Sequence, residues 1–147
     1  MASELKYAVF GNGSWATAIV KMLSEKTTSV GWYVRKSKII DYIKEEQHNP
    51  SYLSSVEFDV NRLILSDDIN KVASSADVLV FAIPSAFIYE QLKMLSVDIS
   101  YKIILSAVKG IVPETGLLVG EHFHQHRNVP FDQVAVLAGP CHAEEVA

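Results

Sequence analysis

The stretch from Tyr7 to Val20, YAVFGNGSWATAIV, decides the fold. It begins with a short apolar run, turns at Gly11-Asn12-Gly13, and continues with small and apolar residues. The continuation predicts a helix, because apolar residues recur at i, i+3, i+4 and i+7 on one face: Ala16, Ile19, Val20 and Leu23. A strand, a glycine turn and an amphipathic helix in this order begin a βαβ unit.

The same alternation of short apolar runs and helical patterns continues along the chain. It predicts six strands, at residues 7–10, 29–34, 63–65, 78–83, 102–107 and 134–138. The runs at 78–83 and 102–107 are almost continuously apolar, which predicts strands buried on both faces. Residues 47–61 lack helical or strand periodicity and predict a long loop, a kind of loop that is usually functional or disordered. We therefore predict an α/β fold, a Rossmann-type doubly wound and mainly parallel sheet with helices on both faces.

Composition excludes several classes of protein. The chain has 147 residues, 49% of them hydrophobic and 20% charged, which suits one globular domain. Its formal net charge of −4 argues against a nucleic-acid partner. No apolar run reaches the ~18 residues of a membrane span, so no membrane insertion is expected. The single cysteine, Cys141, cannot form an internal disulfide and suits a reducing compartment, so we expect a cytoplasmic location.

The glycine turn is a candidate phosphate site. Gly11-x-Gly13-x-x-Ala16 fits the dinucleotide fingerprint and stands between a predicted strand and a predicted helix. Gly11 would take the tight turn, Gly13 would let a pyrophosphate approach the backbone, and Ala16 would allow close helix packing. The alternative is a glycine turn that only connects the strand to the helix.

The end of the second predicted strand bears on the choice of cofactor. An acidic side chain at this position would accept hydrogen bonds from the ribose hydroxyls of NAD, whereas a basic side chain suits the 2′-phosphate of NADP. The strand ends in Arg35-Lys36, with no acid there, which favours NADPH over NADH. NAD remains open, because Arg35 can also stack on adenine. Two solvated cations at the start of a helix are the other interpretation.

Several ordered motifs together resemble the bacterial-type NAD(P)-dependent glycerol-3-phosphate dehydrogenases. The cofactor turn of that family is similar to GNGSWATA, in which Ser14 and Trp15 follow the second glycine. Further similar segments cover most of the chain: Trp32 with Arg35, residues 49–53 (NPSYL), 76–85 (ADVLVFAIPS), 106–111 (SAVKGI) and 137–146 (LAGPCHAEEV).

The resemblance implies a reversible reduction of dihydroxyacetone phosphate to sn-glycerol 3-phosphate, with NADPH or NADH, which feeds phospholipid synthesis. It implies cofactor contacts at nine positions: Gly11, Gly13, Ser14, Trp15, Arg35, Lys36, Tyr52, Lys109 and Ala143. Lys109 would also meet the substrate and serve catalysis, since an ammonium stabilises charge that develops on a carbonyl oxygen. Gly139 and Cys141 would help to hold the substrate. An exposed lysine before a glycine turn is the alternative for Lys109.

The resemblance also implies that residues 1–147 form the N-terminal, NAD(P)-binding part of a two-domain enzyme. A helical C-terminal domain, expected beyond them, would supply a lysine as general base. We therefore expect the fragment alone to be inactive, and the longer enzyme to be a candidate homodimer. Cys141 departs from the Ser or Thr that is common in the family, and a thiol is a weaker hydrogen-bond donor. Two alternatives remain: a stand-alone NAD(P)-sensing module and a related two-domain hydroxy-acid dehydrogenase.

The histidines near residue 124 are the remaining candidates for chemistry. His122 and His126 stand four residues apart, where two imidazoles on one helix face can share a metal. No carboxylate accompanies them in a catalytic arrangement, so we predict a polar helix end and no metal site.

Overall fold

The structure is a computed structural model, and it describes residues 4–138. Eight strands are present in this range: β1 (Tyr7–Phe10), β2 (Val30–Tyr33), β3 (Leu63–Ser66), β4 (Val78–Phe81), β5 (Ile103–Ser106), β6 (Ile111–Val112), β7 (Leu117–Leu118) and β8 (Val134–Val136). Five α-helices lie between them: α1 (Ser14–Lys26), α2 (Ser37–Glu46), α3 (Ile69–Ser74), α4 (Ser85–Met94) and α5 (Val119–Arg127). Two 3₁₀ turns, Val60–Arg62 and Phe131–Gln133, precede β3 and β8.

The six predicted strands form one parallel sheet in the order β3-β2-β1-β4-β5-β8. The order runs outward from β1 in one direction and then from β4 in the other, which is the doubly wound topology. The strand register places Phe10 of β1 beside Tyr33 of β2 and Phe81 of β4. The predicted fold class is therefore confirmed.

Two apolar cores lie on opposite faces of the sheet, because successive side chains of a strand point to opposite sides. Ala8 and Phe10 belong to one core, which α3, α4 and α5 cover, and the rings of Phe10 and Phe81 stack in it at 4.6 Å. Val9 belongs to the other core, where α1 and α2 pack on β1 and β2. Helices on both faces give the expected three layers.

One prediction about burial is wrong for β5. All four residues of β4 are buried, as its continuously apolar sequence predicted, but Ile103 of β5 is 39% exposed. The reason is local: α1 and α2 pack mainly over β1, β2 and β3, so the same face of β5 receives less cover from the described residues. An apolar run shows that a strand is suited to burial, and it does not show that a neighbour is present.

Two elements had no clear sequence signal. Helix α3 has only six residues, too few for a periodic pattern, and it begins where Asp68 accepts hydrogen bonds from the N–H groups of Asn70 and Lys71. Strands β6 and β7, of two residues each, form an antiparallel hairpin that packs against α4 and α5. Within residues 4–138, no helix combines the length and the apolar character needed to cross a bilayer.

Candidate functional site

A cleft of about 310 Å³ opens at the carboxyl ends of the central strands. It lies where β1 and β4 are neighbours, the point at which the strand order reverses and where open α/β sheets bind ligands. Its lining comes from the glycine turn, the end of β2, helix α2 and the loop after it, the end of β4 and helix α4: Gly11, Asn12, Gly13, Tyr33, Arg35, Lys36, Ile39, Ser51, Tyr52, Ala82, Ile83, Pro84, Phe87 and Gln91.

Gly11 makes the tight turn at the end of β1. Its φ is +121°, and a methyl group at this position would lie 2.5 Å from the carbonyl oxygen of Ala82. A side chain of β2 also holds the turn: the indole Nε1 of Trp32 donates a hydrogen bond to the backbone oxygen of Gly11 at 2.7 Å. Only glycine combines this backbone conformation with this close approach to β4.

Gly13 has a different role from Gly11. Its backbone is extended, with φ −74°, and no atom lies within 4 Å of the place where a methyl group would stand. Gly13 is also the residue that precedes α1, and no side chain caps that helix. The first N–H groups of a helix have no partner inside it, so an uncapped start beside an open cleft favours an anion.

Asn49 joins the loop after α2 to the glycine turn. Its side chain is fully buried, and Nδ2 donates to the Asn12 oxygen at 3.1 Å and to Thr17 Oγ1 at 2.9 Å. Its Oδ1 accepts hydrogen bonds from the backbone N–H groups of Ser51 at 3.0 Å and Tyr52 at 3.3 Å. One carboxamide therefore fixes Tyr52, which is 44% exposed, on the cleft side of the loop.

The end of β2 supplies the charge of the cleft. Arg35 and Lys36 are both exposed and both line it, and Lys36 precedes α2. The neighbouring Tyr33 is buried beneath them, and burial raises the pKa of its phenol, while the positive charge of Arg35 acts in the opposite direction. The cleft thus has a cationic rim at this end and an uncapped helix start at the other.

Five of the predicted cofactor residues line the cleft: Gly11, Gly13, Arg35, Lys36 and Tyr52. Ser14 and Trp15 are the first two residues of α1, so they adjoin Gly13 but do not line the cleft, and the Trp15 ring packs on the core beside α1. Gly139, Cys141 and Ala143 lie outside the described residues.

Lys109 stands apart from the cleft lining. It is exposed, in the loop that follows β5. This loop passes near the start of α4, since a methyl group on Gly110 would lie 3.9 Å from Ser85 Oγ. Ser85 follows Pro84, which does line the cleft. Lys109 is therefore on the same edge of the sheet as the cleft, on the side of β5.

Comparison with known proteins identifies the family. The sequence model described as "NAD-dependent glycerol-3-phosphate dehydrogenase N-terminus" matches residues 6–147. The chain belongs to this family.

Individual relatives agree with the family match. The chain is 34% identical to the glycerol-3-phosphate dehydrogenase [NAD(P)+] of Clostridium botulinum (strain Eklund 17B / Type B), over 96% of this chain and 42% of that protein. It is 31% identical to the enzyme of the same name from Streptomyces avermitilis, over 100% of this chain and 44% of that protein. The chain thus spans less than half the length of these relatives.

A solved structure shares the fold. The glycerol-3-phosphate dehydrogenase of Plasmodium falciparum superposes with a TM-score of 0.82 at 23% identity, over 97% of this chain and 42% of that one. The matched part of that structure therefore has the same fold as this chain.

Two polar residues of the cleft were missed by the sequence analysis, Tyr33 and Gln91. Both are buried, and the Tyr33 hydroxyl donates to Gln91 Oε1 at 2.8 Å. A signal was present in α4, where Gln91 stands three residues after Ile88 and next to Leu92, both of which belong to the buried core. A polar side chain on an apolar helix face needs a partner, and here the partner is Tyr33.

The prediction of a polar end for α5 is wrong at His122. This residue is 3% exposed, its Nδ1 has no hydrogen-bond partner among residues 4–138, and its ring lies 4.6 Å from that of His126, which is exposed. Burial lowers the pKa of His122, and the charges of His126 and Arg127 act in the same direction. In the described part of the chain, no group of three or more His, Cys, Asp or Glu side chains is placed to hold a metal.

Proposed function

We propose that residues 1–147 form the NAD(P)-binding domain of a two-domain, NAD(P)-dependent glycerol-3-phosphate dehydrogenase. The complete enzyme would reduce dihydroxyacetone phosphate to sn-glycerol 3-phosphate in the cytoplasm, for phospholipid synthesis. The observation that carries the proposal is the uncapped start of α1 beside Gly11 and Gly13, at the cleft of a chain that the family model matches over residues 6–147. The match favours the dehydrogenase over a stand-alone NAD(P) sensor.

The proposed dinucleotide would extend from the start of α1 towards the end of β2. The pyrophosphate would lie against the N–H groups at the start of α1, beside the open space at Gly13. The adenosine ribose would then lie by Arg35 and Lys36, where the charges suit the 2′-phosphate of NADPH. Tyr52 would contact the same half of the cofactor from the loop that Asn49 holds. Ser14 and Trp15 would adjoin the pyrophosphate.

The chemistry would take place beyond Pro84, on the β5 side of the cleft. The reduced nicotinamide, when bound, supplies the hydride that reduces the substrate carbonyl carbon. Lys109 would hold the carbonyl oxygen by its ammonium group and stabilise the negative charge that develops there. Gly139 and Cys141 would hold the substrate, Ala143 would contact the cofactor, and the proton for the oxygen would come from a lysine in the C-terminal domain.

Titration calorimetry of the 147-residue chain with NADPH and NADH tests the cofactor assignment. We expect weak binding of both, because the uncapped helix and the cationic rim are present in the chain. We also expect little or no turnover of dihydroxyacetone phosphate without the C-terminal domain. Absence of binding for both cofactors would contradict the assignment.

An activity assay of the longer protein separates the proposal from its rivals. The dehydrogenase predicts consumption of NADPH or NADH with dihydroxyacetone phosphate. Cofactor binding without turnover in the longer protein would favour the sensor, and turnover of a different hydroxy acid alone would favour the other two-domain dehydrogenase.

A further inference from the structure

The side chain of Gln91 is held in one orientation at the floor of the cleft. Tyr33, at the end of β2, and Gln91, on α4, are 58 positions apart in the chain, and their exposed fractions are 2% and 7%. The hydrogen bond from the Tyr33 hydroxyl occupies Oε1 of the carboxamide at 2.8 Å. A buried amide with its oxygen bonded in this way has its NH₂ group on the opposite side.

The NH₂ group of Gln91 is open to the cleft. Within residues 4–138, Nε2 has no hydrogen-bond partner in the protein. It is not enclosed either, because the enclosed side-chain atoms without partners in that range are Thr115 Oγ1 and His122 Nδ1. Since Gln91 lines the cleft, its amide nitrogen presents two donors to whatever lies there.

In the proposed function, the adenine base of the dinucleotide would lie beside Gln91. With the pyrophosphate at α1 and the ribose at Arg35-Lys36, the base would enter the recess between the end of β2 and α4. The cleft lining includes four apolar side chains that are suited to a flat aromatic ring: Ile39, Ile83, Pro84 and Phe87. Adenine has acceptor nitrogens at its edges, and the recess offers one oriented polar donor.

We propose that Gln91 donates a hydrogen bond from Nε2 to a ring nitrogen of adenine, and that Tyr33 is a positioning residue that holds the amide in this orientation. This inference rests on the proposed function and deepens it, because it assigns the group that recognises the base. Its ligand class is adenine nucleotides, so 5′-AMP alone should bind through the same contact.

Gln91→Met tests the contact, because methionine keeps the length of the side chain and removes the donor. We expect the affinities for NADPH and for 5′-AMP, measured by competition, to fall about fivefold each, which corresponds to one net hydrogen bond. Gln91→Glu keeps an acceptor for the Tyr33 hydroxyl and removes the NH₂ group, so both affinities should fall by a similar factor. This second variant decides the question if the first does not fold.

Tyr33→Phe tests the positioning role. It should lower the affinity for NADPH by about two- to threefold in the parent chain and have no effect in the Gln91→Met background, because the effects of substitutions within one hydrogen-bond network are not additive. A merely structural role would give the same loss in both backgrounds and would contradict the positioning role. Unchanged affinities in Gln91→Met or Gln91→Glu would overturn the contact itself. If the parent chain binds neither nucleotide, the proposed function fails, and the inference fails with it.

Discussion

Asn49 donates a hydrogen bond from Nδ2 to the backbone oxygen of Asn12 at 3.1 Å, although 37 positions separate them. Together with its other three hydrogen bonds, this contact joins the loop to the glycine turn. We expect Asn49→Ala to lower the free energy of unfolding by about 2–4 kcal/mol, since it leaves buried groups without partners. NADPH binding should weaken as well, because Tyr52 is released. Urea denaturation and calorimetry measure the two effects.

The control for Asn49 is Asn61→Ala. Asn61 is exposed, and its amide bonds only to Asp59 among the described residues. This variant should match the parent chain in both stability and NADPH binding. Equal behaviour of the two alanine variants would show that the Asn49 contacts do not stabilise the loop.

The two glycines of the turn should respond oppositely to alanine. Gly11→Ala places a methyl group 2.5 Å from a backbone oxygen at φ +121°, so it should lower the free energy of unfolding by more than about 3 kcal/mol. The methyl group of Gly13→Ala meets no atom within 4 Å, so the free energy of unfolding should stay within about 1 kcal/mol of the parent value. NADPH binding should be lost, because the methyl group would occupy the place of the pyrophosphate. Circular dichroism melts and cofactor titration distinguish these outcomes. Normal NADPH binding by Gly13→Ala would argue against a pyrophosphate at this turn.

Arg35 and Lys36 should determine the preference between cofactors. Replacing both with alanine should lower the affinity for NADPH about tenfold and the affinity for NADH by much less, because only NADPH has a 2′-phosphate. The double variant Lys38→Ala/Lys44→Ala removes the same charge from exposed positions on α2 that do not line the cleft. It should leave the ratio of the two affinities unchanged. Equal losses of NADPH and NADH at Arg35 and Lys36 would mean that the pair does not recognise the phosphate.

Lys109→Ala in the longer protein should reduce kcat/KM for dihydroxyacetone phosphate by about 100-fold to 1,000-fold. Lys109 is exposed, so the melting temperature should not change. Lys93, an exposed lysine on α4 paired with Glu90, offers a matched control, and Lys93→Ala should retain activity. A near-normal kcat/KM for Lys109→Ala would remove this residue from the catalytic site.

His122 should make stability depend on pH. Burial lowers its pKa below the ordinary value of 6.5, so the folded chain binds this proton less readily than the unfolded chain. Stability should therefore fall as the pH drops below about 6.5, from the unfolded pKa towards the folded one. Urea midpoints at pH values of about 7.5 and 5.5 measure the slope, and His122→Leu should flatten it. His126→Gln should keep most of it, because burial is the largest cause. An unchanged slope in His122→Leu would assign the effect to other groups.

The six strands of the parallel sheet and the glycine turn could be predicted because their signals are local. Gly11, Gly13 and Ala16 stand in a fixed spacing, and each of these six strands is a short apolar run bounded by turn residues. Helix α3 could not be predicted by periodicity, since its start depends on the side chain of Asp68 and not on an apolar repeat. The exposure of Ile103 depends on which element covers β5, and a strand's own sequence does not contain that information.

The cleft was only half predictable for a similar reason. Its cations and glycines are motif residues, but the bond between Tyr33 and Gln91 joins a strand end to a helix 58 positions away. Likewise, the motif containing Asn49 indicated a loop near the cofactor, while its bond to Asn12 is visible only in three dimensions. Long-range polar pairs of this kind have no spacing rule.

The hydrogen bond from Trp32 to Gly11 gives the glycine turn an optical reporter. The chain has two tryptophans, and the other, Trp15, is the second residue of α1, two positions after Gly13. Trp32 is therefore hydrogen-bonded to the turn where the pyrophosphate is proposed to lie, and Trp15 follows that turn in the first turn of α1. The intrinsic fluorescence of the unlabelled chain arises mainly at this turn, so its emission can follow occupancy and local unfolding of the turn in the same sample.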